Sequence, residues 1–180
     1  STCCENTATE HEMMRKLMID SVVTWAVEYK VDGFRFDLMG LMDQETVFEA
    51  VKKLKELRPD IIIYGEPWAA GKTPVRGIKK GSQKGLGFAV FNDEFRDALK
   101  GSVFNIEDTG YVQSYGQNYR QAVINGIMGS PGTFAASPLE TVNYASCHDN
   151  HTLWDRIDLS AKGAPVETKI KMDKLVQAIV

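Results

Sequence analysis

Three short stretches of this sequence put charged side chains at strand-like runs. The first, VDGFRFDLMG (31–40), carries Arg35 and Asp37 two residues apart. Alternate residues of an extended chain share a face, so Arg35 and Asp37 point one way and Phe34, Phe36 and Leu38 the other. The second, YGEPW, ends an apolar run in Glu66, ahead of Pro67 and Trp68. The third, TVNYASC, runs into His148, Asp149 and Asn150, with His151 and Trp154 just beyond. Arginine and aspartate are rarely fully buried unless paired. Arg35 and Asp37 are either a couple that neutralises itself or part of a rim where charge is used. Asp37, Glu66 and Asp149 all fall at the C-terminal ends of such runs, where parallel α/β folds gather their active-site groups. Three terminal carboxylates, with Arg, His and Trp beside them, exceed what capping of the following helices requires.

Two carboxylates flanking a bond are what glycoside hydrolysis uses, one ionised as nucleophile and one protonated to assist the leaving oxygen. Arg35, on the face of Asp37, favours the ionised aspartate. Glu66 lies between Pro67 and Trp68 with no cation adjacent in sequence, a setting that favours the acid role. Trp68 and Trp154 offer flat faces for sugar rings, with plain core packing as the other reading. The run His148-Asp149-Asn150-His151 has a rival reading as metal ligands, and a metal-assisted hydrolase would lose activity on chelation. That pattern is a weak metal signal, because carboxylates and imidazoles also serve as hydrogen bonders.

The elements that must position these groups follow from periodicity. Thr7 with Glu10, and Thr9 with Glu12, have capping-box spacing ahead of a helix that runs to about Tyr29. Its apolar stripe is Met14, Leu17, Met18, Val22, Trp25 and Tyr29. Asp43 is suited to cap a second helix, with Val47, Val51 and Leu54 as the inner face and Arg58-Pro59 as the stop. IIIYGEPW, GFAVFN and TVNYASC read as further strands, NDEFRDALKG as a short helix with a glycine stop, and 167–180 as an amphipathic helix. A Gly/Lys-rich loop spans 69–87. A polar stretch over 102–138 holds Tyr111, Tyr115 and Tyr119 and weak helical signals. Alternating helices and strands imply right-handed crossovers and a parallel sheet, in a doubly wound sheet or a (β/α) barrel. A complete barrel takes eight strands and typically ~250 residues. Four strands make about half of one.

With 180 residues, a net charge of −3 and 43% hydrophobic residues, the chain has globular composition and room for one sizeable core. The mild acidity gives no electrostatic case for nucleic acid or an anionic membrane as a partner. No apolar run approaches the ~20 residues of a membrane span. Three cysteines, Cys3, Cys4 and Cys147, without a C-x-x-C, argue against a zinc site. Free thiols are the expected state, and one of Cys3 or Cys4 bonded to Cys147 is the alternative. The start, STCCENTATE, has no signal-peptide pattern and no initiator Met, as expected of an internal piece of a longer chain.

At its three charged stretches the sequence resembles the α-amylase superfamily of glycoside hydrolases. GFRFDLMG is similar to the nucleophile block, YGEPW to the acid/base block and SCHDNHTLWD to the block with the transition-state aspartate. With TATEH and DSVVTWAVEYKVDG, these resemble the type I pullulanases, debranching enzymes that cut α-1,6 links in pullulan, glycogen and branched dextrins. The resemblance implies a partial (β/α)8 TIM barrel, from its third helix through its seventh, with the whole chain a fragment of one catalytic domain. It implies Asp37 as nucleophile, Glu66 as general acid/base and Asp149 holding sugar hydroxyls in the transition state, beside His148 and Asn150. Arg35 would orient Asp37, and Trp68 and Trp154 would meet the glucan. It implies an α-glucan partner and no required cofactor. A structural Ca²⁺ of the kind the family often binds has no dense carboxylate loop here to locate it. The family's first block and its tyrosine-rich motif do not occur in these residues, so the chain alone is expected to have little activity. An α-1,4-acting amylase, a branching enzyme and a non-catalytic glucan-binding remnant are the alternatives.

Overall fold

The computed structural model describes residues 6–114 and 118–180. Cys3, Cys4 and Tyr115 lie outside the described residues. The chain forms two compact units, Ser1–Phe91 with Gly132–Glu140, and Asn92–Pro131 with Thr141–Val180. No helix of the described residues is long and apolar enough to cross a membrane.

The first unit holds α1 (Glu12–Val27), β1 (Gly33–Phe36), α2 (Gln44–Leu57), β2 (Ile62–Gly65) and β3 (Ala89–Phe91). The strands run parallel in the order β1-β2-β3, with Arg35 opposite Tyr64 and Tyr64 opposite Ala89. Helix α2 forms as its pattern dictates. The Asp43 carboxylate accepts the Thr46 N–H, Glu45 lies in the first turn and Lys55 in the last. Val47, Val51 and Leu54 are buried and pack with Phe36, Ile61, Ile63, Ile78, Phe88 and Val90. Each such side chain contributes about 1.5–3 kcal/mol relative to exposure. The Gly/Lys-rich loop has no strand or helix but is tied down. Gln44 N–H donates to Arg76 O (2.8 Å) and Ile78 N–H to Met39 O (3.1 Å). Gly77 is required there, since a Cβ would come within 1.9 Å of the Gly40 carbonyl oxygen.

Helix α1 differs from expectation at both its start and its buried face. Its N-cap is His11, which makes no side-chain capping bond. Thr9 instead serves α2: its hydroxyl accepts the Asp43 N–H and its carbonyl accepts the Thr46 hydroxyl. Leu17, Trp25 and Tyr29 of the expected stripe are exposed, and Trp25 and Tyr29 stack on each other at 4.4 Å. Ala26 is buried and Val22 packs against the core, so the seam lies one position round from the largest side chains.

Glu140 closes the first unit's other loop. Its carboxylate accepts N–H bonds from Gly85 (2.8 Å) and Ala136 (2.7 Å). Burial opposes its charge, but the N–H groups of Gly85, Ala136 and Ser137 outweigh that and hold the carboxyl below its usual value of 4.5. A lowered folded value means the stabilisation is present above that usual value and is lost as pH falls through the folded one. Glu140→Gln is therefore expected to lower the unfolding midpoint at neutral pH and to flatten the decline in acid. Urea unfolding of both chains across pH 3–7 would measure this, and parallel pH curves would exclude it.

The second unit holds α3 (Asp93–Lys100), α4 (Arg120–Ile127), β4 (Thr141–Val142), α5 (Leu153–Ser160) and α6 (Val166–Ile179). Phe95, Leu99, Val123, Leu153, Ile157 and Val176 form its core. Buried Asn92 organises it, capping α3 through Phe95 N–H and donating to Ser130 Oγ and Asn143 Oδ1. The buried Arg156 guanidinium on α5 donates to the carbonyls of Ser102, Asn105, Ile106 and Asp108, ordering a loop that has no other regular structure. Lys100 is buried as well, and burial, then the nearby Arg96, lowers its pKa to about 8.

The expected fourth strand, TVNYASC, is a correction. Only Thr141 and Val142 are in strand, because Asn143 turns its side chain to Asn92 and to Gly126 O (2.9 Å) rather than extending a ladder. Asp149 thus lies in a loop and not at the end of a strand.

Candidate active site

Strand register builds the site in the first unit. Arg35 and Tyr64 are paired, as are Phe36 and Gly65, and Gly65 and Val90. One residue beyond these pairs stand Asp37, Glu66 and Phe91, in one row on the face that Arg35 and Tyr64 share. Arg35 ties the row together. Its guanidinium donates to Asp37 Oδ1 through one nitrogen and to Glu66 Oε1, at 2.6 Å, through the other. Burial works against the guanidinium charge, but the Asp37 bond and the charges of Glu66 and Asp37 outweigh it, so its pKa is raised. An oxygen of Asp37 and an oxygen of Glu66 lie within 4.8 Å of each other.

The two carboxylates sit in different surroundings. The Asp37 side chain is 58% exposed and that of Glu66 3%. Glu66 is also held by the Leu38 N–H, which donates to Oε2 at 2.8 Å. Leu38 is left-handed, φ 44° and ψ 51°. A branched, non-glycine residue there costs about 1–3 kcal/mol, which the surrounding structure must hold.

The expectation that Glu66 has no cation beside it is corrected: Arg35, 31 positions away, contacts it directly. The reason is register, which sets the ends of β1 and β2 side by side. Trp68, 2 residues beyond Glu66, is half-buried and stands 6.3 Å from the Phe91 ring, while its carbonyl accepts the Gly40 N–H. Phe91 also meets Tyr64 edge-on at 5.5 Å and lies under the Arg35 guanidinium at 5.7 Å. Phe91 and Tyr64 escaped the sequence reading, which sought charge. The signal was there, since Phe91 is the last apolar residue of the strand-like run GFAVFN.

The remaining candidates belong to the second unit. His148, Asp149 and Asn150 are exposed, and His148 Nε2 lies 3.6 Å from Asp149 Oδ1. Asn150 is left-handed, φ 62°, a conformation asparagine tolerates. The loop is closed at its far end, where Leu153 N–H donates to Ser146 Oγ and Thr152 caps α5 through Asp155 N–H. Trp154, in the first turn of α5, is exposed, as are His151 and Cys147. The cap signature Thr152-x-x-Asp155 was a sequence signal for α5.

No family model matches the chain. It is similar to the pullulanase of Bacillus subtilis strain 168, 39% identical over 184 residues, which covers 96% of this chain and 25% of that protein. The pullulanase of Klebsiella aerogenes is 32% identical over 227 residues, covering 100% of this chain and 21% of that one. Among solved structures, the pullulanase from Bacillus acidopullulyticus superposes with a TM-score of 0.95 at 42% identity, over 99% of this chain and 22% of its own. The pullulanase from Paenibacillus barengoltzii, solved in complex with maltohexaose and α-cyclodextrin, gives 0.88 at 40% identity, over 96% and 28%. These matches bear out the expected α/β class and partial barrel, with a sheet that is not closed. The chain is a relative of the pullulanases, matched along its whole length and spanning about a quarter of theirs.

Proposed function

We propose that this chain supplies the reacting carboxylates of a retaining glycoside hydrolase that cuts α-1,6-glucosidic links of pullulan, glycogen and branched dextrins. The observation that carries the reading is the meeting of Asp37 and Glu66 on one guanidinium, with carboxylate oxygens within 4.8 Å. That closeness favours the ~5–5.5 Å separation of retaining enzymes over the ~6.5–9.5 Å of inverting ones. In the first step protonated Glu66 gives its proton to the glycosidic oxygen while Asp37 Oδ bonds to the anomeric carbon, and the bond to the leaving glucan breaks. In the second, water attacks that carbon and loses its proton to Glu66, and the bond to Asp37 breaks. Arg35 holds both carboxylates on the two nitrogens of one guanidinium. Asp149, with His148 and Asn150, is assigned to the sugar hydroxyls, and Trp68 and Trp154 to the sugar faces, by likeness to the pullulanase blocks. The choice of the α-1,6 link rests on the relatives' activity. No metal is assigned a step in this reaction.

The test is product analysis with a full-length enzyme carrying this sequence. Maltotriose from pullulan, released first with retained anomeric configuration by proton NMR, is the expected result. Products of α-1,4 cleavage would move the enzyme to the amylases, and glucan binding without cleavage would make it a binding remnant. The 180-residue chain by itself is expected to release little or no reducing sugar, because it spans about a quarter of its relatives and its sheet is open. Robust release by that chain would overturn this expectation.

A further inference from the structure

β1 and β2 keep a regular parallel ladder up to the site, where a single rung is displaced. Ile62 N–H donates to Asp32 O (3.0 Å) and Glu66 N–H to Phe36 O (3.1 Å), four residues on along both strands. A regular ladder would next bring Leu38 N–H to the Glu66 carbonyl. Met39 N–H takes that carbonyl instead, at 2.9 Å. The pairing is back in step at Gly40, whose N–H donates to Trp68 O (2.9 Å) where a regular ladder would bring it, so the departure is confined to the rung that Leu38 gives up to Met39. Leu38, whose backbone is left-handed, makes the turn. Released from the ladder, its N–H donates to Glu66 Oε2, while Arg35 holds Oε1. The turn is locked from beyond by Gly40 N–H on Trp68 O and Ile78 N–H on Met39 O.

We propose that Leu38 is a positioning residue for Glu66, acting through its left-handed backbone and not through its side chain. The left-handed turn converts a ladder donor into a fixed donor for the carboxylate. It sets the orientation of Glu66 independently of the mobile part of any side chain. The catalytic consequence rests on the acid/base reading of Glu66. The geometry itself does not. Glycine and asparagine adopt this conformation readily, whereas a β-branched residue resists it. The side chain of Leu38 is only half-buried, so replacing it tests backbone shape more than packing.

The experiment uses Leu38→Gly, Leu38→Asn and Leu38→Ile. In the 180-residue chain, the amide proton of residue 38 is expected to respond to protonation of Glu66, with the response absent in Glu66→Gln. Leu38→Gly and Leu38→Asn should keep it and Leu38→Ile should lose it. In the full-length enzyme, Leu38→Ile should lower kcat on pullulan at least about tenfold with KM within about twofold, as expected of a misplaced catalytic group. Leu38→Gly or Leu38→Asn should restore kcat to within about threefold of the parent. The proposal is overturned if the residue 38 amide ignores Glu66 in the parent chain, if Leu38→Ile keeps both response and kcat, or if the glycine and asparagine variants are as impaired as isoleucine. An enzyme that cleaves no α-glucan would refute the hydrolase reading, and the amide response would still decide whether Leu38 positions Glu66.

Discussion

Glu66→Gln is expected to lower turnover of pullulan by a full-length enzyme about 10²–10⁴-fold, the usual contribution of a general acid. Binding of the polysaccharide should be nearly unchanged. Glutamine keeps the shape of the side chain, but its single carbonyl oxygen can take only one of the two bonds, from Leu38 N–H at the Oε2 position or from Arg35 at the Oε1 position. It has no proton to give the leaving oxygen and no carboxylate to take one from water. The loss therefore falls on kcat. Affinity electrophoresis in gels containing pullulan would follow binding while reducing-sugar release follows turnover. A substrate with an activated leaving group sharpens the test, because it needs less acid assistance in the first step. Its first step should lose much less than that of pullulan. If Glu66→Gln retains near-normal turnover of pullulan, Glu66 is not the acid and the pairing with Asp37 is structural.

What the sequence made legible was local. The cap at Asp43 and the stripe of Val47, Val51 and Leu54 depend on residues three and four apart, and both stand as expected. The position of Asp37 just past β1 and Glu66 just past β2 follows from two short apolar runs and a proline. The contact of Arg35 with Glu66 was not legible, since it depends on the register of β1 against β2, which pairs Phe36 with Gly65. The left-handed turn at Leu38 was hidden for a different reason. Leucine carries no turn signal, and the conformation is held by the bonds of Met39 and Gly40 to Glu66 O and Trp68 O, just past β2. Along the expected first helix six apolar positions fitted one stripe, yet large side chains at Leu17, Trp25 and Tyr29 are exposed while small Ala26 is buried. Periodicity gives a face, and the neighbour available to cover it decides which edge of that face is buried.

Arg35→Lys and Arg35→Ala are expected to separate the two jobs of the guanidinium. Lysine keeps a positive charge but has one nitrogen, and it cannot reach Asp37 and Glu66 together as the planar fork does. Arg35→Lys should therefore cost about 10²-fold in kcat through misplacement of one carboxylate, with modest change in stability. Arg35→Ala leaves Glu66, 3% exposed, without its cation. Removing one partner of a fully buried pair costs about 3–5 kcal/mol. The Arg35 side chain is itself 26% exposed, so the loss here should be smaller, about 1–3 kcal/mol in urea unfolding. The double variant Arg35→Ala, Glu66→Gln distinguishes the cause. If the loss comes from a stranded carboxylate, neutralising Glu66 as well should recover most of it, and the two effects will not add. If they do add, the stability lies in the contact of the guanidinium with the Phe91 ring and in its packed stem. The two carboxylates would then be held apart by the strands alone.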